Sequence, residues 1–378
     1  MKITEVRPVL AGGRYLFVEV LTDKGISGWG ECGAWGFQRA TVEALKQFGS
    51  LIEGLDPFRI EHIWNLLTRT MHFRGSVVQA AVSGIDIALW DLKGKAFGVP
   101  CYELLGGKVR DKIRIYINAS GKTDDEAAAN ALALKEKGFD AIRFTMPHAK
   151  DADGRSYEPF SAVVERLERR MASVRNAVGM DIDVAIEVHR GMKPAEAIDA
   201  GKALAKYRPY FYEDPIPDNL DAMQHVIEEC EIPVATGERF ISIREFDELL
   251  SRTGVRYVRP DMCLAGGLTA GKKIAAIAES KGVYLIPHNP LGPISTAVCV
   301  QLNACIPNFE IQEYPMVNDT CRLDSEMKEP FEIEKGFLKV PDGPGLGVSL
   351  IDDIGSVFPY KGNYGRLSLH EDGSVVDR

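Results

Sequence analysis

Three glutamates carry the first chemical signal. Glu187, Glu213 and Glu238 are separated by 26 and 25 residues, and each closes a short apolar run: "DVAIE", "RPYFYE" and "IPVATGE". One strand, one crossover helix and two turns fill that interval in a parallel α/β repeat. The three carboxylates are therefore expected at one level on consecutive strands. Converging there, they would repel unless a cation joined them. An all-oxygen donor set without Cys or His suits a hard ion, Mg²⁺ before others. His189 follows Glu187 by two residues, and in a continuing strand the two side chains would share a face.

The next runs add a second group. "YVRPDMCLAGG" places Asp261 at a strand tip, and "YLIPHNPLGP" places His288 at the following one. Adjacent tips suit an Asp–His pair, in which the carboxylate holds the ring and raises its basicity. The pair is a candidate general base. "FEIQEYP" brings Glu313 to the same level, and "AIRFTMP" brings Arg143 and Thr145 to places where a lysine base could stand. Arginine stays protonated and orients anions, so Arg143 is expected to contact substrate or a neighbouring acid. His148, just beyond on a loop, is expected as a substrate contact. His62, His225 and His370 read as surface residues. "GGLTAGKK" from Gly266 nearly matches a phosphate-binding loop, but Lys273 stands where Ser or Thr is required. Its glycines fit a tight strand-to-helix turn better.

These tips need a scaffold. Short apolar strands recur near 113–117, 140–145, 182–187, 209–213, 232–236, 255–259, 283–287 and 309–312. Helical patterns at 124–137, 160–177, 194–206, 241–252 and 268–280 lie between them. Eight strands with crossover helices fit a parallel barrel, whose active sites lie at the C-terminal strand ends. A doubly wound sheet would carry a Gly-rich dinucleotide turn after its first strand, and "YINASGKTD" is not one. Before the barrel, "YLFVEVLTDKGISGWGE" reads as an antiparallel meander, and helical patterns run from about 38 to 98. The turn-rich tail, "KVPDGPGLGVSLIDD", is expected to return to the N-terminal unit. The expected organisation is thus an α+β cap over residues 1–110, a barrel over 111–325 and a returning segment over 326–378.

Composition bounds the partners. The 378 residues are 45% hydrophobic and 26% charged, with net charge −9. That balance disfavours nucleic acid and anionic membranes. "MKITEVRPVL" lacks the layout of a signal peptide, and no apolar run reaches membrane-spanning length. Seven scattered cysteines without a CxxC fit reduced thiols in a cytoplasmic setting.

In this order the residues resemble the enolase superfamily, known for Lys or His bases working with Mg²⁺. The likeness covers nearly the whole chain. It is strongest to acid-sugar dehydratases of the mandelate racemase subgroup, D-galactonate dehydratases among them. It rests on "RYLFVEVLTDKGISGWGE", "SGIDIALWDLKGKAFGVPCYELLGG", "IPHNPLGPISTAVCVQLNACIPNFEIQE", "GPGLGV" and "HEDGSV".

The resemblance implies an α/β fold, a modified (β/α)₇β TIM barrel under an N-terminal α+β capping domain. It implies Mg²⁺ on Glu187, Glu213 and Glu238, His288 with Asp261 as the base, and His189 as the general acid. Glu313 would help bind the substrate carboxylate, and cap residues Trp35, His72 and Arg74 would shape specificity. The partner would be a small sugar acid, and an even-numbered homo-oligomer is expected. Two features depart from the pattern. Position 187 is Glu where galactonate dehydratases carry Asp, and the cap loops differ. Mannonate dehydratases share the acid-x-His pattern but would need a tyrosine base, and Tyr157 is poorly placed for one. Dehydration is the expected reaction. Epimerisation or racemisation, cycloisomerisation, and a catalytically silent sugar-acid binder are the alternatives.

Overall fold

The computed structural model describes residues 1–70, 72–146, 158–318, 320–321, 323–362 and 369–375. Strands β1 (Ile3–Ala11), β2 (Tyr15–Thr22) and β3 (Ser27–Glu31) form the expected antiparallel meander. Helices α1 (Gln38–Ile52), α2 (Ile60–Thr70) and α3 (Ser76–Phe97) follow, then a single turn, α4 (Cys101–Leu104). Helix α3 is buried along most of its length and lies directly on β3. Glycine makes that approach possible. A Cβ on Gly28 would fall 2.0 Å from the Ala88 carbonyl oxygen, and one on Gly30 would fall 1.9 Å from that of Gly84.

The barrel strands are β4 (Lys112–Asn118), β5 (Ala141–Thr145), β6 (Asp183–Glu187), β7 (Tyr212–Glu213), β8 (Val234–Thr236), β9 (Tyr257–Val258), β10 (Tyr284–Leu285) and β11 (Gln312–Val317). All pair in parallel in this order, with β11 beside β4. The ring closes where the Leu285 amide donates to Asn308 and the Glu310 amide donates to Leu285. Among the described residues seven helices occupy the crossovers: α5 (Asp124–Glu136), α6 (Phe160–Val178), α7 (Pro194–Leu204), α8 (Leu220–Glu229), α9 (Ile243–Arg252), α10 (Gly267–Ser280) and α11 (Pro293–Cys305). The fold is a modified (β/α)₇β barrel with an N-terminal capping domain.

Helices α8 and α11 were not among the sequence-based expectations. Every residue of α11 is buried, so it shows no polar stripe and no helical period. The tail also does more than return to the cap. Strand β12 (Thr320–Cys321) pairs with β11, and a hairpin of β13 (Ile333–Glu334) and β14 (Phe337–Lys339) adds antiparallel to β4. The chain then reaches the cap, where α12 (Ile354–Val357) packs on β1 and the Gly12 amide donates to Phe358.

The barrel interior is divided. Its middle layer is an apolar plug of Tyr116, Ala141, Ala185, Phe211, Ala235, Ile286 and Ile311. Small and large side chains share a layer, as barrel closure demands. The charged residues stand above this plug, at the C-terminal ends. Among the described residues no helix is long and apolar enough to cross a membrane.

Candidate active site

Strand register sets the level of the acids. Glu187 pairs with Glu213 across β6 and β7, Thr145 pairs with Glu187 across β5 and β6, and Glu213 pairs with Ala235 at the start of the segment leading to Glu238. The carboxylates do meet at one mouth. What lies between them is arginine. Arg143 donates to Glu213 Oε1 at 2.7 Å and to Glu313 Oε1 at 3.0 Å, and sits 3.5 Å from Glu187 Oε2. Arg259 donates to Glu313 Oε2 at 2.7 Å and lies 2.8 Å from Glu213 Oε1. Arg190 donates to Glu238 Oε1 at 2.6 Å and to Asp214 Oδ2 at 3.2 Å.

Of these arginines only Arg143 was expected in the bowl. Arg259 is fully buried, one residue past β9 and two before Asp261, and that even spacing is the signal that could have revealed it. Arg190 carried no such signal. Its backbone is left-handed at φ 62°, a conformation set by the loop. Asp214 was also missed. Asn118 was missed as well; its Oδ1 accepts from Arg143 Nε at 2.8 Å.

His189 requires a correction. The strand that was expected to carry it ends at Glu187, and His189 is left-handed, with φ 54°, and exposed. Alternation does not extend to it. It stays at the mouth for another reason: Arg190 Nη2 lies 3.0 Å from its Nε2. Desolvation and that guanidinium hold its pKa below the ordinary value, although Glu238 and Glu187 pull the other way.

The Asp261–His288 pair is formed. Asp261 Oδ2 accepts from His288 Nδ1 at 3.0 Å, and the two backbones form a parallel bridge. With Asp261 as acceptor, Nδ1 carries the proton and Nε2 is the basic nitrogen. Nε2 stands 3.5 Å from Glu238 Oε2. Burial opposes a charge on the ring, but Glu238, then the Asp261 hydrogen bond, raise its pKa to about 9. The Trp35 indole stacks on this ring at 5.5 Å between centroids.

The remaining expected contacts divide. Thr145 Oγ1 donates to Glu187 Oε2 at 2.6 Å. Glu313 is buried, and its oxygens accept from Arg143, Arg259 and the Asn289 amide, at 3.0 Å for the last. Burial would raise its pKa, but the two arginines lower it to about 2. His72 and Arg74 are exposed before α3, and among the described residues no bond ties them to the bowl. His148 and Tyr157 lie outside the described residues. The loop-like glycines act as turns: Gly266 and Gly267, at φ 112° and 74°, lead into α10.

Among the described residues no three His, Cys, Asp or Glu side chains form a ready metal cage. The donor chemistry nonetheless fits a hard cation. Each of the three glutamates meets arginine through one oxygen. Among the described residues Glu213 Oε2 is buried without a partner, Glu238 Oε2 faces only His288, and the bonds of Glu187 go to Oε2. Burial raises Glu213 to about pKa 7 despite two arginines. Among the described residues the bowl gathers six carboxyl groups (Glu187, Glu213, Asp214, Glu238, Asp261 and Glu313), three guanidiniums and the His288 ring. A dication there would favour the ionised form of the buried Glu213.

Fold and site together define a class. Residues 126–354 match the enolase C-terminal domain-like family, and residues 8–106 match the mandelate racemase / muconate lactonizing enzyme N-terminal domain. The chain belongs to the enolase superfamily. Its relatives narrow the comparison. It is 35% identical over 360 residues to D-galactonate dehydratase of Variovorax paradoxus, covering 93% of both chains. It is 36% identical over 361 residues to D-galactonate dehydratase of Pectobacterium atrosepticum, covering 94% of this chain and 93% of that one. An enolase from Agrobacterium radiobacter, crystallised with sodium and L-malate, superposes with TM-score 0.91 at 32% identity, over 99% of both chains.

Proposed function

We propose that this protein is an acid-sugar dehydratase that converts an aldonate to a 2-keto-3-deoxy acid. The observation that carries this reading is the Asp261–His288 pair facing Glu238 in the bowl that also holds Glu187 and Glu213. In this reading Glu187, Glu213 and Glu238 would hold Mg²⁺, which when bound would supply positive charge where the substrate carboxylate gains negative charge. His288 Nε2 removes the C2 proton while Asp261 fixes the ring. His189, at the rim, delivers a proton to the departing 3-hydroxyl. The C2–H and C3–O bonds break, water leaves, and the enol tautomerises to the ketone. Arg143 orients anionic groups. Its guanidinium is bonded to Glu213 and Glu313, so it is a poor second base. That disfavours two-base racemisation. The closely related D-galactonate dehydratases support an aldonate substrate. The reading also takes the protein to be a cytoplasmic homo-oligomer with a cap over residues 1–110, a barrel over 111–325 and a returning tail.

The test is C2 exchange in D₂O with a panel of hexonic and pentonic acids, D-galactonate first, plus Mg²⁺. His189→Gln should slow dehydration by roughly 10²-fold or more yet retain exchange. His288→Asn should abolish both. Wild-type exchange in His288→Asn would refute the base assignment, and silence across the panel would refute the substrate class.

A further inference from the structure

Glu31 ends the cap strand β3 with a wholly buried carboxylate that the mechanism above does not use. Both of its oxygens leave the cap. Oε1 accepts from the Gly292 amide at 2.8 Å and Oε2 from the Ser295 amide at 2.9 Å. These amides open α11, where unpaired N–H groups favour a negative charge. Gly292 closes the loop that begins at His288. Two residues along the cap, the Gly33 amide donates to the Cys263 carbonyl at 2.8 Å, and the Cys263 amide donates to Asp261 Oδ1 at 2.8 Å. Two residues further, Trp35 stacks on His288. Three alternate residues of the cap segment 31–35 thus reach His288, the loop between His288 and α11 and, through Cys263, Asp261. The fit is close: a Cβ on Gly292 would lie 2.6 Å from Glu31 Oε1.

We infer that Glu31 is a positioning residue for the base: a cap carboxylate that anchors the 288–292 loop and so sets the approach of His288 to substrate. The inference rests on the base assignment above. The competing role is plain docking of cap on barrel, and Asp86 provides the matched comparison. Asp86 is buried on cap helix α3 and also holds the start of a barrel helix, α10. It accepts from Thr269 N at 2.9 Å and from Thr269 Oγ1 at 2.6 Å. Thr269 lies eight residues beyond Asp261, outside the 288–292 loop.

The experiment compares Glu31→Gln with Asp86→Asn in the full chain. Glutamine keeps the shape but turns an NH₂ toward an amide that needs an acceptor. With D-galactonate as probe, Glu31→Gln should lower kcat on the order of 10- to 100-fold, leave KM within about threefold, and raise the C2-deuterium isotope effect. Asp86→Asn should change kcat by no more than about twofold. Hydrogen–deuterium exchange without substrate reads the loop directly. Glu31→Gln should speed exchange in residues 286–296 by about tenfold, and Asp86→Asn should do so in 262–272 instead. Unchanged exchange in 286–296 for Glu31→Gln overturns the inference, and so does an equal kcat loss in both variants. Where Glu31→Gln does not fold, Glu31→Asp, shorter by one methylene, takes its place. If the wild type is silent on D-galactonate, the failure belongs to the proposed substrate. The exchange comparison still decides whether Glu31 holds the loop.

Discussion

The two ends of the barrel use the same device in different surroundings. At the floor, Arg114 on β4 bridges Asp140 at 3.0 Å and Asp183 at 2.8 Å, and the two aspartates are 44% and 41% exposed. At the mouth, Arg143 on β5 bridges Glu213 and Glu313, and none of the three side chains exceeds 4% exposure. Water screens the first set, so its net contribution is small. The second set stands where unpaired charge is costly and paired charge is strongly held. The apolar plug of Tyr116, Phe211, Ile286 and Ile311 separates them. The difference is one of burial: the same arginine clasp is screened by water at the floor and stands among unscreened charges at the mouth.

Substitutions at both ends would test this contrast. Glu213→Gln should be the most damaging, with turnover at limiting Mg²⁺ falling at least about 100-fold and Mg²⁺ affinity falling with it in calorimetry. Unaltered Mg²⁺ affinity would remove Glu213 from the ligand set. Arg143→Met should cost about 3–5 kcal/mol in denaturant unfolding, because it leaves buried carboxylates unpaired. Arg114→Met should cost about 0–1 kcal/mol and leave turnover intact. Equal losses from the two would erase the distinction between mouth and floor.

A smaller effect is expected at the rim. Thr145→Val removes the hydroxyl that donates to Glu187. The loss of about 1 kcal/mol should appear as Mg²⁺ binding weakened several-fold, and tighter binding would contradict an orienting role. The smallest effect concerns pH. Burial raises the pKa of Asp86 to about 7. Between about pH 4 and 7 the folded chain therefore keeps a proton that the unfolded chain releases, and stability falls as pH rises through that window. Asp86→Asn cannot titrate there, so its thermal midpoint should decline less steeply over the same range. Parallel curves for the two proteins would rule out this contribution.

Much of the mouth was legible before the fold was known. Glu187, Glu213, Glu238, Asp261, His288 and Glu313 each end an apolar run at repeat spacing, and a parallel barrel must bring such ends together. Arg259 and Arg190 were not legible in the same way. Arg259 stands one residue past β9, short of the Asp261 tip, and Arg190 reaches Glu238 and Asp214 from a left-handed turn. Helix α11 escaped notice because complete burial erases the polar stripe by which helices are recognised.

The sequence by itself determined the repeat, the level of the acids and the pairing of Asp261 with His288. These follow from strand period and crossover length, which are local properties of the chain. Only the tertiary structure decided that three arginines stand among the acids, that His189 leaves its strand, and that Glu31 reaches across from the cap to the loop of His288. Those contacts join residues up to 264 positions apart. They depend on burial and on backbone turns, which arise only when the whole barrel closes beneath its cap.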